Sequence, residues 1–154
     1  MTETQEEAAT ALDDYYHSVF TEDDPQAQEP VFPLRTQEIL ENVIVTEEAV
    51  EEVLLNLNPN KAAGPDGVES RLLKECAEEA APILCQIFKK SMEEVEVPNR
   101  WREAHIIPIH KKGNKATMAN FRPVALTSVM CKVFEKIICA AMICFLTRNG
   151  LVTV

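Results

Sequence analysis

The sequence predicts an α+β fold that is mostly helical, with one β-hairpin at about 104–126 between helices. Apolar residues recur three or four positions apart over several stretches, as on the buried face of an amphipathic helix. Two short β-prone runs, residues 106–109 and 121–126, flank a connection that contains Gly113 and Asn114, which is the pattern of a hairpin. The 154 residues suffice for one domain with a modest core.

The N-terminal part, residues 1–36, is expected to form an acidic arm outside a main domain that spans 37–154. Residues 1–11 are polar and acidic, and they predict no regular structure. Between Leu12 and Phe20 the apolar residues recur at helical spacing, which predicts a short amphipathic helix. A linker is then indicated by proline, which fixes φ and removes a backbone donor, at Pro25, Pro30 and Pro33.

Three helices are predicted in the middle of the chain. The first begins at the N-cap Thr46 and runs to Leu57. Residues 58–67, rich in proline and glycine, break the pattern, and a second helix covers 68–76. Pro82 is expected to begin the third helix, because proline is tolerated in a first turn. The buried stripe of that helix is expected to contain Leu84, Ile87, Phe88 and Met92.

The hairpin is expected to lie between two fixed points. Trp101 anchors the corner that leads into it. After the hairpin, Thr127 or Ser128 caps a long helix with a broad apolar face from 129 to 146, and Gly150 is a suitable stop for that helix.

The hairpin turn carries a cluster of cations. Lys111 and Lys112 lie near its tip, and Arg122 lies on the returning strand, so a hairpin would bring all three near one another. Lysine offers a point charge and arginine a bidentate fork, so the cluster suits a triphosphate or a nucleic-acid backbone. The alternative is a solvated hairpin tip with a surface arginine.

Charge divides the chain into an acidic part and a basic part. The net charge of the chain is −10. Residues 1–60 contain fifteen acidic side chains and one basic one, whereas residues 97–154 contain nine basic and two acidic ones. This asymmetry suggests that the C-terminal part faces a polyanion. The alternative is an acidic solubilising tail beside an ordinary surface.

Several classes of protein and site are disfavoured. Five cysteines without a C-x-x-C pair and an acidic N-terminus predict an intracellular protein, in the nucleus or cytoplasm, and the cysteines are expected to act as small hydrophobes. No apolar run approaches the ~18 residues of a membrane span. His105 and His110 stand an odd number of residues apart, hence on opposite faces of a strand, so no metal site is predicted.

Four segments of the chain resemble conserved blocks of a known family. RWREAHIIPIHKKG (100–113) followed by NFRPVALTSVMCKVFEKII (120–138) is similar to the first blocks of the reverse transcriptases of non-LTR (LINE-type) retrotransposons. LNPNKAAGPDGVESRLLKE (57–75) resembles the preceding block of that family. ALDDYYHSVFTEDDP (11–25) resembles the segment that separates the family's endonuclease and polymerase domains. The resemblance identifies the chain as the N-terminal, fingers-side portion of such an enzyme.

The resemblance implies an RNA-directed DNA polymerase whose fingers hold template RNA and the incoming nucleotide. In the family, a lysine at the end of the first strand and an arginine on the returning strand contact the nucleotide phosphates. Arg122 matches the arginine, and either Lys111 or Lys112 matches the lysine. Further candidates for contact with nucleic acid, with an ordinary solvated surface as the alternative, are Lys61, Lys115, Lys132 and Lys136.

The resemblance also implies that catalysis lies elsewhere. The family's polymerase carboxylates hold two metal ions and belong to later palm blocks that have no counterpart here. The pairs Asp13–Asp14 and Asp23–Asp24 are expected to be surface residues. The chain alone is therefore expected to have no catalytic residue, cofactor or polymerase activity, with Mg²⁺ needed only in the full-length enzyme. The alternatives are an RNA-binding retroelement remnant and a truncated copy without activity.

Overall fold

The computed structural model of the chain describes residues 4–21, 33 and 35–152. In chain order, its elements are α1 (Gln5–Ser18), α2 (Glu47–Leu55), α3 (Ser70–Glu75), α4 (Ala77–Glu93), β1 (Ala104–His110), β2 (Phe121–Thr127) and α5 (Val129–Arg148), with 3₁₀ turns at Asn99–Trp101 and Met118–Asn120. The two strands pair into one sheet. The prediction of a mostly helical α+β fold with a hairpin between helices is confirmed.

The described residues divide into two compact units. The smaller unit contains residues 4–21, 33 and 106–125, and the larger unit contains residues 35–105 and 126–152. The proposed division of the sequence into an arm and a main domain stays a prediction. Two prolines of the proposed linker, Pro25 and Pro30, lie outside the described residues.

The first helix begins earlier than its apolar pattern suggests. A capping box precedes it: the Glu7 N–H donates to Thr4 Oγ1 at 3.2 Å, and the Thr4 N–H donates to Glu7 Oε2 at 3.3 Å. These bonds satisfy donors that a helix start otherwise leaves unpaired. The expectation of no regular structure in residues 1–11 is therefore wrong from Gln5 onward, because the capping box starts a helix within a polar stretch.

The hydrophobic core of the larger unit is formed mainly by α2, α4 and α5. Thr46 caps α2 as predicted, and its hydroxyl accepts the Ala49 N–H at 3.1 Å. At the start of α2, the pKa of the Glu48 carboxyl is lowered. The larger cause is a hydrogen bond from the Glu48 backbone N–H, and the next is one from the Thr46 side chain. The most deeply buried core side chains include Val50, Leu54, Cys85, Phe88, Val129 and Val133.

Pro82 lies inside α4 and does not begin it. The helix starts at Ala77, so Pro82 is the sixth residue and cannot donate to the Glu78 carbonyl. Burial of Ala77 and Ala81 on the same helix explains why the helix continues through the proline.

The prediction that Ile87 belongs to the buried stripe of α4 is wrong. Its side chain is 36% exposed, whereas the neighbouring Phe88 is fully buried.

An aromatic cluster fixes the chain just before the hairpin. The Phe88 ring stacks on Phe134 at 4.8 Å between centroids and meets Trp101 edge-on at 5.8 Å. Trp101 lies 6.1 Å from Phe134 and is buried. Such ring pairs add to the stabilisation from buried area. The predicted anchoring role of Trp101 is confirmed.

The loop 58–67 packs closely on the junction between β2 and α5. A Cβ added to Gly64 would lie 2.6 Å from the Thr127 carbonyl and from Ser128 N, so only glycine fits there without movement. Ser128 is the N-cap of α5, and its hydroxyl accepts the Cys131 N–H at 3.5 Å. Within the larger unit, this contact joins the loop to the start of α5.

The apolar face of α5 is buried over only part of its length. Val129, Val133, Phe134 and Ile137 are buried, as predicted. Beyond Ile138, by contrast, the residues of the same face, Ala141, Phe145 and Leu146, are only half-buried. Met142 and Ile143, on other sides of the helix, are 48% and 52% exposed. The helix ends before Gly150, whose φ of +65° suits a helix stop.

Candidate functional site

The register of the hairpin follows from a single hydrogen bond and two strands of equal length. The Lys111 N–H donates to the Asn120 carbonyl at 2.8 Å. Counting back along the two seven-residue strands places His110 opposite Phe121, and their rings lie 5.2 Å apart. Pro108 then falls opposite Pro123. Both prolines occupy positions whose missing N–H would point away from the partner strand, so neither interrupts the ladder.

The two faces of the hairpin have different neighbours. Side chains alternate along a strand, so Ile106 and Pro108 share one face, and these two residues line a cavity of about 410 Å³ with Leu12, Asp13 and Tyr16 of α1. The other face carries Ile107 and Ile109, which are 43% and 40% exposed, together with Arg122. Arg122 therefore lies on an apolar, solvent-exposed face of the hairpin.

The register brings Lys111 and Arg122 close together. Lys111 is bonded to Asn120, so Arg122, two residues farther along, is its diagonal neighbour on the same face, at about 7–8 Å between backbones. Lys112 and Lys115 follow in the exposed turn. In the described part of the chain, none of these four cationic groups makes an ion pair or a side-chain hydrogen bond.

The turn itself is held by several hydrogen bonds. Asn120 Nδ2 donates to the Asn114 carbonyl at 2.8 Å, and Asn114 Oδ1 accepts the Ala116 N–H at 2.9 Å. His110 Nε2 lies 3.1 Å from the Gly113 carbonyl, so this nitrogen carries the proton and donates it. Gly113 has a φ of +84°, a conformation that favours glycine.

Two residues that organise this turn, His110 and Asn120, are not among the site residues that the sequence predicts. The usable signal was the pair Asn114 and Asn120 around a glycine, because asparagine side chains commonly bond to nearby backbone in turns.

The other candidate cations lie in the larger unit. The Lys132 ammonium donates to the Thr127 carbonyl at 3.0 Å, so it already supports the junction between β2 and α5. Lys61 is exposed in the loop 58–67. Lys136 is exposed on α5 and lines a groove with Ala140 and Ala141. Their role in binding nucleic acid stays a prediction.

The described residues can also be compared with what a metal site, a pair of surface aspartates and a membrane-spanning helix require. In residues 4–21, 33 and 35–152, no three His, Cys, Asp or Glu side chains come close enough to hold a metal ion. Asp13 pairs with His17 at 3.5 Å, whereas Asp23 and Asp24 lie outside the described residues. No helix within these ranges has both the length and the apolar character that crossing a bilayer demands.

The cysteines differ more in environment than the sequence suggests. Cys85 is buried, but Cys76, Cys139 and Cys144 are exposed, so the expectation that all five serve as small hydrophobes is wrong for these three. Burial, followed by the nearby Glu135 carboxylate, raises the pKa of the Cys131 thiol. A raised thiol pKa makes Cys131 a poor nucleophile at neutral pH.

Several proteins of mobile elements are similar to this chain. The RNA-directed DNA polymerase from mobile element jockey of Drosophila melanogaster is 32% identical over 95 residues, which is 61% of this chain and 10% of that protein. The probable RNA-directed DNA polymerase from transposon BS of the same species is 28% identical over 110 residues, covering 71% of this chain and 11% of that protein. No protein-family model matches the chain.

A vertebrate relative extends the similarity along the chain. The uncharacterized 149 kDa protein of transposon TX1 from Xenopus laevis is 28% identical over 132 residues, or 80% of this chain and 10% of that protein. This chain thus spans about a tenth of the length of these relatives. The relatives confirm the resemblance that the motif blocks predict.

Proposed function

We propose that the chain, which is related to the RNA-directed DNA polymerases of LINE-like non-LTR retroelements, serves as the fingers-side portion of such a polymerase. Its hairpin contacts the phosphates of the incoming nucleotide and of template RNA. The observation that carries the proposal is the position of Arg122 and Lys111 as diagonal neighbours on one exposed face, where neither side chain has a partner among the described residues. Lys112 and Lys115 extend the same positive surface into the turn.

The chemistry of the hairpin fits phosphate recognition. Arg122 presents a planar fork that bonds two phosphate oxygens, and Lys111 or Lys112 adds a point charge beside it. No acidic residue occurs from Ala104 to Phe134, so no carboxylate of this stretch competes for the cations. The exposed Ile107 and Ile109 beside Arg122 offer an apolar surface against which a base or sugar can pack.

The proposal concerns binding and positioning, not the chemical step. In a complete polymerase the metal ions supply most of the charge that neutralises a triphosphate. Lysines and an arginine alone bind nucleotide weakly, so RNA, which offers many phosphates, is the stronger ligand for the isolated chain. The additional lysines of the larger unit, Lys61 and Lys136, are proposed as secondary contacts with RNA.

The proposal is tested by RNA binding as a function of salt. The variant with Lys111→Ala, Lys112→Ala and Arg122→Ala is expected to bind a short single-stranded RNA more weakly. If three phosphate contacts are lost, the slope of log affinity against log salt falls by about 2, since each contact contributes about 0.7. Fluorescence anisotropy across a salt series measures both quantities.

A control variant separates local contacts from net charge. Arg71→Ala, Lys89→Ala and Lys90→Ala remove the same charge from exposed positions of α3 and α4, where Arg71 and Lys90 form only surface ion pairs. This control is expected to change the salt slope little. Equal losses in the two variants would refute a specific role for the hairpin.

A second candidate function is supported by the exposed part of α5. Met142 and Ile143 are large apolar residues that remain half exposed, as in a surface made to pack on further protein. On this view the chain is a retroelement remnant without independent activity. It predicts that neither triple variant alters RNA binding and that a hydrophobic dye binds the folded chain.

A further inference from the structure

We infer that the turn at residues 112–115 is itself an oxyanion site, in which backbone amides as well as lysine side chains bind a single phosphate group. The inference rests on the proposed function and deepens it, because it names a ligand chemistry and a set of atoms beyond the cations. The phosphate can belong to a free nucleotide or to an RNA backbone.

The first observation is a run of unpaired backbone donors. In the part of the chain that the structure describes, the amides of Lys112, Gly113, Asn114 and Lys115 have no protein acceptor. Their neighbours Lys111, Ala116, Thr117 and Asn120, in contrast, all donate to acceptors within the hairpin. Successive free amides in a turn form a concave site that favours anions.

The second observation is that this turn is open and fixed in shape. Gly113 has no side chain to cover the amides, and its φ of +84° keeps the chain reversed at that point. Asn120 fits closely beneath it, since a Cβ on Gly113 would lie 2.8 Å from Asn120 Nδ2. Bonds from Asn120 to Asn114 and from His110 to Gly113 hold the two central carbonyls. A site that is already ordered loses less entropy when it binds.

The third observation is the charge around the amides. Three lysines, Lys111, Lys112 and Lys115, border the turn, and their ammonium groups have no partner within the part of the chain that the structure describes. The described acidic residues of the smaller unit all lie on α1, and none lies on the hairpin. The lysines attract the anion, and the amides give it a fixed position. Asn120 is then a positioning residue for the turn.

The inference is tested by following each backbone amide in a ¹H–¹⁵N NMR titration with inorganic phosphate. We expect saturable downfield shifts at Gly113 and Asn114 that exceed those elsewhere in the chain. Lys111→Gln with Lys112→Gln should weaken binding but leave the same amides responding. A response limited to the lysine side chains, with unmoved amides, would overturn the inference.

A second variant tests the positioning role. Asn120→Ala removes the bond to the Asn114 carbonyl and is expected to weaken phosphate binding roughly fivefold, the equivalent of one ordinary hydrogen bond. Asn60→Ala, an exposed asparagine in the loop 58–67, is the matched control and should change nothing. Unchanged amide shifts in the larger unit establish that each variant is folded. Full affinity in Asn120→Ala would contradict the role.

Parallel titrations with ATP and with short RNA identify the source of the phosphate. Displacement of inorganic phosphate from the Gly113 amide by RNA supports a backbone phosphate, and displacement by ATP alone supports a nucleotide. If the amides stay silent while the triple alanine variant loses RNA binding, this inference fails and the proposed function stands. If the amides respond but that triple variant binds RNA normally, the proposed function fails and the anion site stands.

Discussion

At the scale of single residues, Gly64 lies unusually close to the backbone of a neighbouring segment of the larger unit. Its Cα faces the Thr127 carbonyl and Ser128 N so closely that a methyl group would overlap backbone atoms. Backbone cannot move aside as a flexible side chain can, so the loop, the end of β2 or the start of α5 would have to shift. The glycine is required by the fold around it, and not by its own dihedral angles.

Gly64→Ala is therefore expected to destabilise the chain by about 1–3 kcal/mol, the usual range for overpacking. Urea unfolding followed by circular dichroism gives the change. Gly67→Ala serves as the comparison, because Gly67 has a φ of +69° but open space around it, and that strain costs about 1–2 kcal/mol. A smaller loss for Gly64→Ala than for Gly67→Ala would contradict the close contact.

At the scale of elements, α4 contains the clearest conflict between local preference and packing. Proline inside a helix removes a hydrogen bond and crowds the preceding turn, at about 3 kcal/mol. The helix nevertheless begins five residues before Pro82, because Ala77, Ala81, Leu84 and Phe88 bury one continuous stripe. Tertiary burial outweighs the local rule here.

Pro82→Ala is accordingly expected to stabilise the chain by about 1–2 kcal/mol. The gain restores a donor to the Glu78 carbonyl, and part of it is offset by the greater freedom of the unfolded chain. The midpoint of urea unfolding measures the effect. Pro98→Ala, just before the 3₁₀ turn at Asn99–Trp101, is the control and should bring no such gain. A lowered midpoint in Pro82→Ala would indicate that the proline ring contributes packing instead.

The elements that could be predicted from sequence are those whose local signals agree. Thr46, the two strands, Trp101 and Ser128 all lie where a cap, a β-prone run or an aromatic anchor indicates. The misplaced starts of α1 and α4 have specific causes: a capping box that was overlooked and a proline outweighed by burial. Ile87 was misassigned because the helix stripe passes through Cys85 and Phe88 instead.

The candidate site was predictable in type but not in detail. The two short β-prone runs on either side of Gly113 indicate a hairpin that brings cations together. They cannot distinguish Lys111 from Lys112, because that depends on the register, which is fixed by the bond from Lys111 to Asn120. The unpaired amides of the turn likewise depend on hydrogen bonds that no residue pattern specifies.

At the scale of the whole molecule, the chain corresponds to about a tenth of the length of its relatives. The proposed function assigns it phosphate contacts without the chemical step. We therefore expect no nucleotide incorporation by the purified chain on a primed RNA template with Mg²⁺ or Mn²⁺. Two metal ions on carboxylates are what activate the primer end, whereas the proposed role of the hairpin rests on cationic side chains alone.

A primer-extension assay with a labelled primer measures incorporation directly. An active reverse transcriptase under the same conditions is the positive control, and the triple alanine variant is the matched negative control. If the unmodified chain extends the primer and the triple alanine variant does not, the chain catalyses polymerisation unaided. That result would overturn the assignment of a purely positioning role.

The facing prolines of the hairpin have a consequence for how the chain behaves in a crowded solution. Among the residues that the structure describes, no further strand pairs with either edge of the hairpin, and its isoleucines are exposed. Such a two-stranded ribbon is the kind of template on which further strands add to build aggregates or fibrils. Pro108 and Pro123 lie opposite each other, and each lacks the backbone N–H that would point outward from its edge of the hairpin. An incoming strand therefore cannot form an unbroken ladder of hydrogen bonds on either side. The same two residues that leave the internal pairing intact thus guard the hairpin against self-assembly.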